Sequence, residues 1–111
     1  MEGAPDFDVC VEREGDGQTW VEVRGELDLA TAGELEAALA GEDPGGKTVI
    51  DLSGCEFLDS SGLGVLLAEV KRAESEGGSL ALVAPERIRR VLELAGVDVR
   101  VPIHATRDAA R

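Results

Sequence analysis

The chain carries 23 acidic and 11 basic residues among 111, a formal net charge of −12. Such a surface repels nucleic acid and anionic membranes, both of which bind through Lys and Arg, and with only Phe7, Trp20 and Phe57 as aromatics there is no stacking platform for single strands. The length fits a single domain, residues 1–111, that buries about two-thirds of its unfolded surface without a metal or a disulfide.

The opening Met1-Glu2-Gly3-Ala4-Pro5-Asp6 has neither the basic nor the apolar segment of a signal peptide. Phe7, Val9 and Val11 then alternate with Asp8, Cys10 and Glu12, the period of a half-buried strand. Glu14-Gly15-Asp16-Gly17 supplies turn chemistry, with Asp16 capping its own turn, and residues 20–24 alternate again. The two runs predict an antiparallel hairpin. Thr31-Ala32-Gly33-Glu34 fits a capping box at the start of a helix, whose apolar side is Leu35, Ala38 and Leu39. Residues 41–46 break that helix as a flexible connection. Thr48-Val49-Ile50-Asp51-Leu52 reads as a strand covered on both faces.

The best-defined helix follows. Leu63, Leu66, Leu67, Val70 and Ala73 recur at spacings of three and four, while Glu69, Lys71, Arg72, Glu74 and Glu76 lie off the stripe. Its residues 62–68 are the longest stretch free of polar side chains, far short of the roughly 18 residues of a membrane span. Gly77-Gly78 stops it. Leu80, Leu82 and Val83 form a short strand, and Pro85 occupies the first position of another helix with Ile88, Val91, Leu92 and Ala95 inward and Gly96 as its stop. Residues 99–103 are expected as a last strand, and residues 105–111 as the start of a further helix. Cys10 and Cys55 are too few for a disulfide framework; both sit in strand-like surroundings and are expected as small buried hydrophobes in a reducing cytoplasm.

Strands alternating with helices imply right-handed crossovers. The expected fold class is therefore α/β: a mostly parallel sheet of four to five strands with an N-terminal antiparallel hairpin at its edge and helices packed on it.

Three motifs for chemistry fail on their context. Gly41-Glu42-Asp43-Pro44-Gly45-Gly46-Lys47-Thr48 matches the phosphate-binding loop G-x-x-x-x-G-K-[ST] by letter. That motif needs a strand before it and a helix after it; here the order is inverted, Pro44 removes an amide, and two acids sit inside the loop. His104 is the only histidine, and no nucleophile elbow is present for a serine hydrolase. No His or Cys grouping has zinc spacing. The carboxylates are mostly a solvated face.

The segment from Asp51 to Leu67 differs. Asp59, Ser60 and Ser61 fall on the first turn of the best helix, where a side-chain oxygen accepts an orphan amide. Two adjacent hydroxyls exceed what one cap requires, and Gly62 and Gly64 open the backbone to close approach. A phosphoryl group placed here would meet free amides and the positive end of a helix dipole.

Asp59-Ser60-Ser61-Gly62-Leu63-Gly64 after a Val-Ile-Asp-Leu strand resembles the STAS domain of bacterial anti-sigma factor antagonists. The similarity extends back to Gly25-Glu26-Leu27-Asp28 and forward through Gly77-Gly78 to the Pro85 helix, covering about residues 7–104. The C-terminus departs from the family, which usually carries a fuller last helix. The resemblance implies a small STAS-like layer fold and a non-enzymatic, cytoplasmic partner-switching regulator of transcription. It implies Ser60 as the phosphorylated serine, with Asp28, Asp59, Ser61 and Gly62 around it. Leu63 and Val65 beside that loop are candidates for apolar contact with a partner. The family's partners are an anti-sigma factor serine kinase, which brings its own ATP, and a PP2C-type phosphatase. No cofactor, nucleic acid or membrane is then expected for this chain. Two alternatives stand beside it: a STAS subunit of another assembly, such as a lipid-transport complex or a signalling scaffold, without a phosphorylation cycle; and a small hydrolase or nucleotide-binding enzyme built on the 41–48 match or on Ser60 with His104.

Overall fold

Period-two alternation at the start of the chain folds into the hairpin it predicts. A computed structural model describes residues 7–15 and 17–111; the turn role expected of Asp16 lies outside the described residues. Strand β1 (Asp8–Arg13) pairs antiparallel with β2 (Gln18–Leu27). There follow α1 (Ala32–Ala40), β3 (Lys47–Leu58), α2 (Ser60–Ser75), β4 (Ser79–Val83), α3 (Glu86–Leu94), α4 (Val97–Arg100), β5 (Ile103–His104) and α5 (Arg107–Ala110). The sheet runs in the order β1-β2-β3-β4-β5, with every pair after the first parallel.

Each crossover steps to the next strand in one direction. Right-handed connections of that kind put their helices on one side of the sheet. Alternate residues of β2 (Val21, Val23, Leu27), β3 (Ile50, Leu52) and β4 (Leu80, Leu82) therefore share one core with Leu35 and Leu39 of α1, Leu66 and Val70 of α2, and Ile88 and Leu92 of α3. The intervening residues Trp20, Val49 and Val83 make a second cluster on the other face, against which Ala110 of α5 packs. The guanidinium carbons of Arg107 and Arg111 lie 4.5 and 5.1 Å from the centroid of the Trp20 ring. Arg107 Nε also stands 3.0 Å from the carboxylate of Asp51, which is 1% exposed, as an ion pair rather than an aligned hydrogen bond.

Several expected details are corrected. The third strand does not stop at Leu52 but runs to Leu58. Beyond Asp51 it has no β4 partner, yet it stays paired to β2 through two register shifts, ending with Leu27 opposite Leu58. Residues 99–103 are not a strand: Val97 and Val101 are buried one helical turn apart, Val99 is left 84% exposed, and only Ile103–His104 joins the sheet. Gly96, at φ +79°, makes the reversal that starts this turn. Pro85 precedes the helix as its cap rather than occupying its first position. Cys10 is exposed on the edge strand, whereas Cys55 is buried. Val11 and Ala95 are exposed and Ala38 is only half-buried. Glu69 is buried because it swings to Arg72, whose guanidinium also reaches the Leu39 carbonyl at 2.6 Å.

The connection at 41–46 is pinned rather than loose. A side chain on Gly78 would collide with the carbonyl oxygen of Pro44, and Asp43 Oδ1 accepts from the Gly45 amide at 2.9 Å.

Replacing Arg107 leaves Asp51 buried without its cation. We expect Arg107→Ala to cost about 2–3 kcal/mol, below the value for a fully buried pair because Arg107 is partly exposed. Adding Asp51→Asn should recover part of that loss. Urea unfolding followed by Trp20 fluorescence measures both; an unchanged midpoint for Arg107→Ala would contradict the pairing.

Candidate functional site

The parallel strands β2 and β3 end side by side, and their carboxyl ends turn into α1 and α2. Open α/β sheets place their binding sites at such ends. Asp59 is the single residue between β3 and α2. Its backbone is extended, its amide donates to the Leu27 carbonyl at 3.2 Å, and its Oδ1 accepts from the amides of Ser61 at 2.8 Å and Gly62 at 3.1 Å. Of the four amides that a helix start leaves without an internal acceptor, only that of Ser60 then lacks one among the described residues. The cap is therefore Asp59, and neither serine serves as one.

Ser60 is exposed, and Ser61 is half-buried. Neither hydroxyl makes a hydrogen bond among the described residues. Gly62 is buried at the closest approach of α2 to the sheet: a Cβ there would lie 2.6 Å from Leu27 Cγ and 2.8 Å from both the Leu27 carbonyl oxygen and Leu58 Cδ1. Leu63 and Val65 are half-buried and pack against the core, so most of their apolar surface faces inward.

Asp28 organises the neighbouring turn. Its Oδ1 accepts from the amides of Ala30 at 3.0 Å and Thr31 at 3.2 Å. The expected capping box does not form. Thr31 Oγ1 instead turns back, accepting from the Asp28 amide at 2.9 Å and donating to the Glu26 carbonyl at 2.7 Å. The structure thus brings together Asp28, Asp59, Ser60, Ser61, Gly62 and Leu63 on two adjoining loops joined by the bond from Asp59 to Leu27. It does not bring His104 to them: His104 lies on β5, across β4 from β3. Lys47 begins β3 and so lies at the opposite end of the strand from Ser60.

Sequence reasoning missed Leu29, 80% exposed in the Asp28 turn, and Phe57, 49% exposed near the end of β3. Neither belongs to a periodic stripe, and an apolar residue inside turn chemistry was the available signal. It also missed how the charge is distributed. Residues 25–70, which build both loops, hold ten acidic residues and one basic one, Lys47, so −9 of the net −12 resides there. On the open edge of β3, Arg87 donates to the Cys55 carbonyl at 3.3 Å. Burial pushes the Cys55 thiol above its usual range and keeps it in the unreactive protonated form. No group of three or more His, Cys, Asp or Glu side chains among the described residues is placed to hold a metal ion, and no described helix is long and apolar enough to cross a membrane.

Comparison with known proteins closes the assignment. A family model described as "Mlab, STAS domain" matches residues 10–103. The chain belongs to the STAS domain family. Among its STAS relatives, an anti-sigma-B factor antagonist from Bacillus subtilis is 30% identical over 95 residues, 84% of this chain and 87% of that one. An anti-sigma F factor antagonist from Paenibacillus polymyxa is 38% identical over 58 residues, 50% of this chain and 49% of that one. The chain spans about half the length of the curated Thermotoga relatives it matches, 54% in each. The crystal structure of an anti-sigma factor antagonist from Mycobacterium paratuberculosis superposes with a TM-score of 0.82 at 40% identity, covering 96% of this chain and 93% of that one.

The Gly62 contact makes opposite predictions for two glycines on one helix. Gly62→Ala should force the first turn of α2 off the sheet and cost about 1–3 kcal/mol. A Cβ added at Gly64 would meet no atom within 4 Å, so Gly64→Ala should stabilise the helix by up to about 1 kcal/mol. Thermal melts would show this as a fall and a rise; a wild-type melt for Gly62→Ala would contradict the close approach.

Proposed function

We propose that this STAS domain is an anti-sigma factor antagonist that works by partner switching, with Ser60 as its phosphorylation site. One observation carries the reading: Asp59 caps α2 by itself, and Ser60 is exposed with a hydroxyl that makes no hydrogen bond among the described residues. Esterifying it need not disturb the scaffold. Family membership and the names of the relatives support the antagonist role.

In this reading the unmodified chain binds an anti-sigma factor and frees a sigma factor. The anti-sigma factor is a serine kinase that phosphorylates Ser60 with its own ATP, a PP2C-type phosphatase reverses the step, and the cycle runs in the cytoplasm. This chain then needs neither a cofactor nor catalytic groups. Asp28, Ser61, Gly62 and Leu63 shape the surface that both enzymes meet. Phosphate adds about −1.5 to −2 charge at neutral pH. The free chain keeps that charge solvated at a helix start. In the complex it must be desolvated against groups arranged for a neutral hydroxyl. A loss of about 3–4 kcal/mol there weakens affinity roughly 10²–10³-fold. The acidic 25–70 stretch calls for a basic partner surface, which speeds encounter without fixing the final fit.

A STAS subunit of another assembly without a phosphorylation cycle would share this family and this fold. Identifying the protein that co-purifies with Ser60→Ala separates the two.

After incubation with the anti-sigma factor and ATP, mass spectrometry should place one phosphate on Ser60 and none on the Ser60→Ala chain. Phosphate on Ser61 or elsewhere would overturn the assignment. Ser60→Asp should bind the anti-sigma factor weakly and keep a wild-type circular dichroism melt; a large fall in melting temperature would mean that Ser60 is structural after all. The association rate of the unmodified chain should fall steeply with added salt, and a salt-independent rate would contradict charge steering.

A further inference from the structure

We infer that Leu29 is the apolar anchor of the docking surface, and that the anti-sigma factor receives it in a hydrophobic pocket rimmed by Lys and Arg side chains. This inference rests on the partner-switching reading above and adds to it a contact that does not depend on phosphate.

Single exposed leucines are ordinary on protein surfaces. Leu29 differs in how it is held. Its turn is fixed by hydrogen bonds that all involve its neighbours: Asp28 Oδ1 to the amides of Ala30 and Thr31, the Asp28 amide to Thr31 Oγ1, and Thr31 Oγ1 to the Glu26 carbonyl. None of these bonds buries the leucine, which remains 80% exposed. The loop is thus ordered for reasons other than packing its own apolar side chain. A partner that covers Leu29 meets an ordered backbone and has only the leucine's own side chain left to order.

Its position supports the same reading. Leu27 and Leu58 are register partners at the ends of β2 and β3, and the Asp59 amide bonds to the Leu27 carbonyl. Leu29 and Ser60 each lie two residues beyond that pair, so they leave the sheet on adjoining loops. The side chains flanking them in sequence are acidic: Glu26, Asp28, Glu34, Glu56 and Asp59, with no Lys or Arg between Arg24 and Lys47 or between Lys47 and Lys71. An apolar side chain in a mainly acidic setting, with the cations Arg24 and Arg87 set back beside Gly54 and Cys55, defines its complement, an apolar pocket with a basic rim.

The test is a titration of the purified anti-sigma factor, recovered with Ser60→Ala, against variants of the full chain. Burying a leucine side chain is worth enough that Leu29→Ser should weaken binding by about 10–100-fold, while Leu29→Met should stay within about 3-fold of wild type. Leu94, 91% exposed at the far end of α3, is the control: Leu94→Ser should bind as wild type. Melting temperatures of the Ser variants should match wild type, since neither leucine is packed. If Leu29→Ser binds normally while Ser60→Asp binds weakly, the anchor is wrong and the switch stands. If Leu94→Ser loses as much affinity as Leu29→Ser, the anchor is also wrong. A Ser60→Asp chain with wild-type affinity would overturn the switch on which the anchor rests.

Discussion

The carboxylate of Asp59 on the amides of Ser61 and Gly62 is the interaction on which the site depends. A helix that begins one residue after a strand must satisfy its orphan amides locally, because no longer loop is available to fold back over them. Asp59 does this with one oxygen, while its own amide ties the junction to the last carbonyl of β2. The consequence is a separation of duties. The acid holds the helix, and the hydroxyl of the serine beside it makes no hydrogen bond among the described residues. In the proposed cycle, a hydroxyl in that situation gains and loses a charged group while the fold beneath it keeps its geometry.

The rest of the molecule keeps that junction rigid. Gly62 lets α2 sit closer to β2 and β3 than any side chain would permit, so the first turn has little room to shift. The overhanging part of β3 is braced on one side by β2 and on the other by Arg87 of α3. On the far face, Trp20 is sealed by the C-terminal segment through two stacked arginines and the Asp51 ion pair. Charge is distributed as unevenly as rigidity: residues 25–70 carry −9, while residues 71–111 carry eight basic and six acidic residues, or +2.

Much of this was legible in the residues. The hairpin, the alternation of strands and helices along the chain, the best helix and the Asp59-Ser60-Ser61 segment followed from period, turn chemistry and capping. The errors share a cause, in that local pattern does not report which neighbour an element acquires. Residues 53–58 break the strand pattern because their β4 side is open, yet β2 alone keeps them extended. Val97, Val99 and Val101 alternate like a strand, but Gly96 redirects the chain and buries only the first and last, as a helical turn does. Glu69 reads as solvent-facing until Arg72 folds over it. Thr31 has the sequence of a capping box and directs its hydroxyl to the Glu26 carbonyl instead. Leu29 went unnoticed because its meaning lies in an adjoining loop supplied by a different strand.

The most direct measurement compares amide and indole resonances of the chain before and after enzymatic phosphorylation. If Ser60 carries no structural duty, shifts are confined to the Asp28 turn and the first turn of α2, largest at the amides of residues 60–62, with the Trp20 indole unmoved. Changes spreading across the sheet to Trp20 would show instead that the modification acts by altering the fold, and the separation of cap from switch would fall with it.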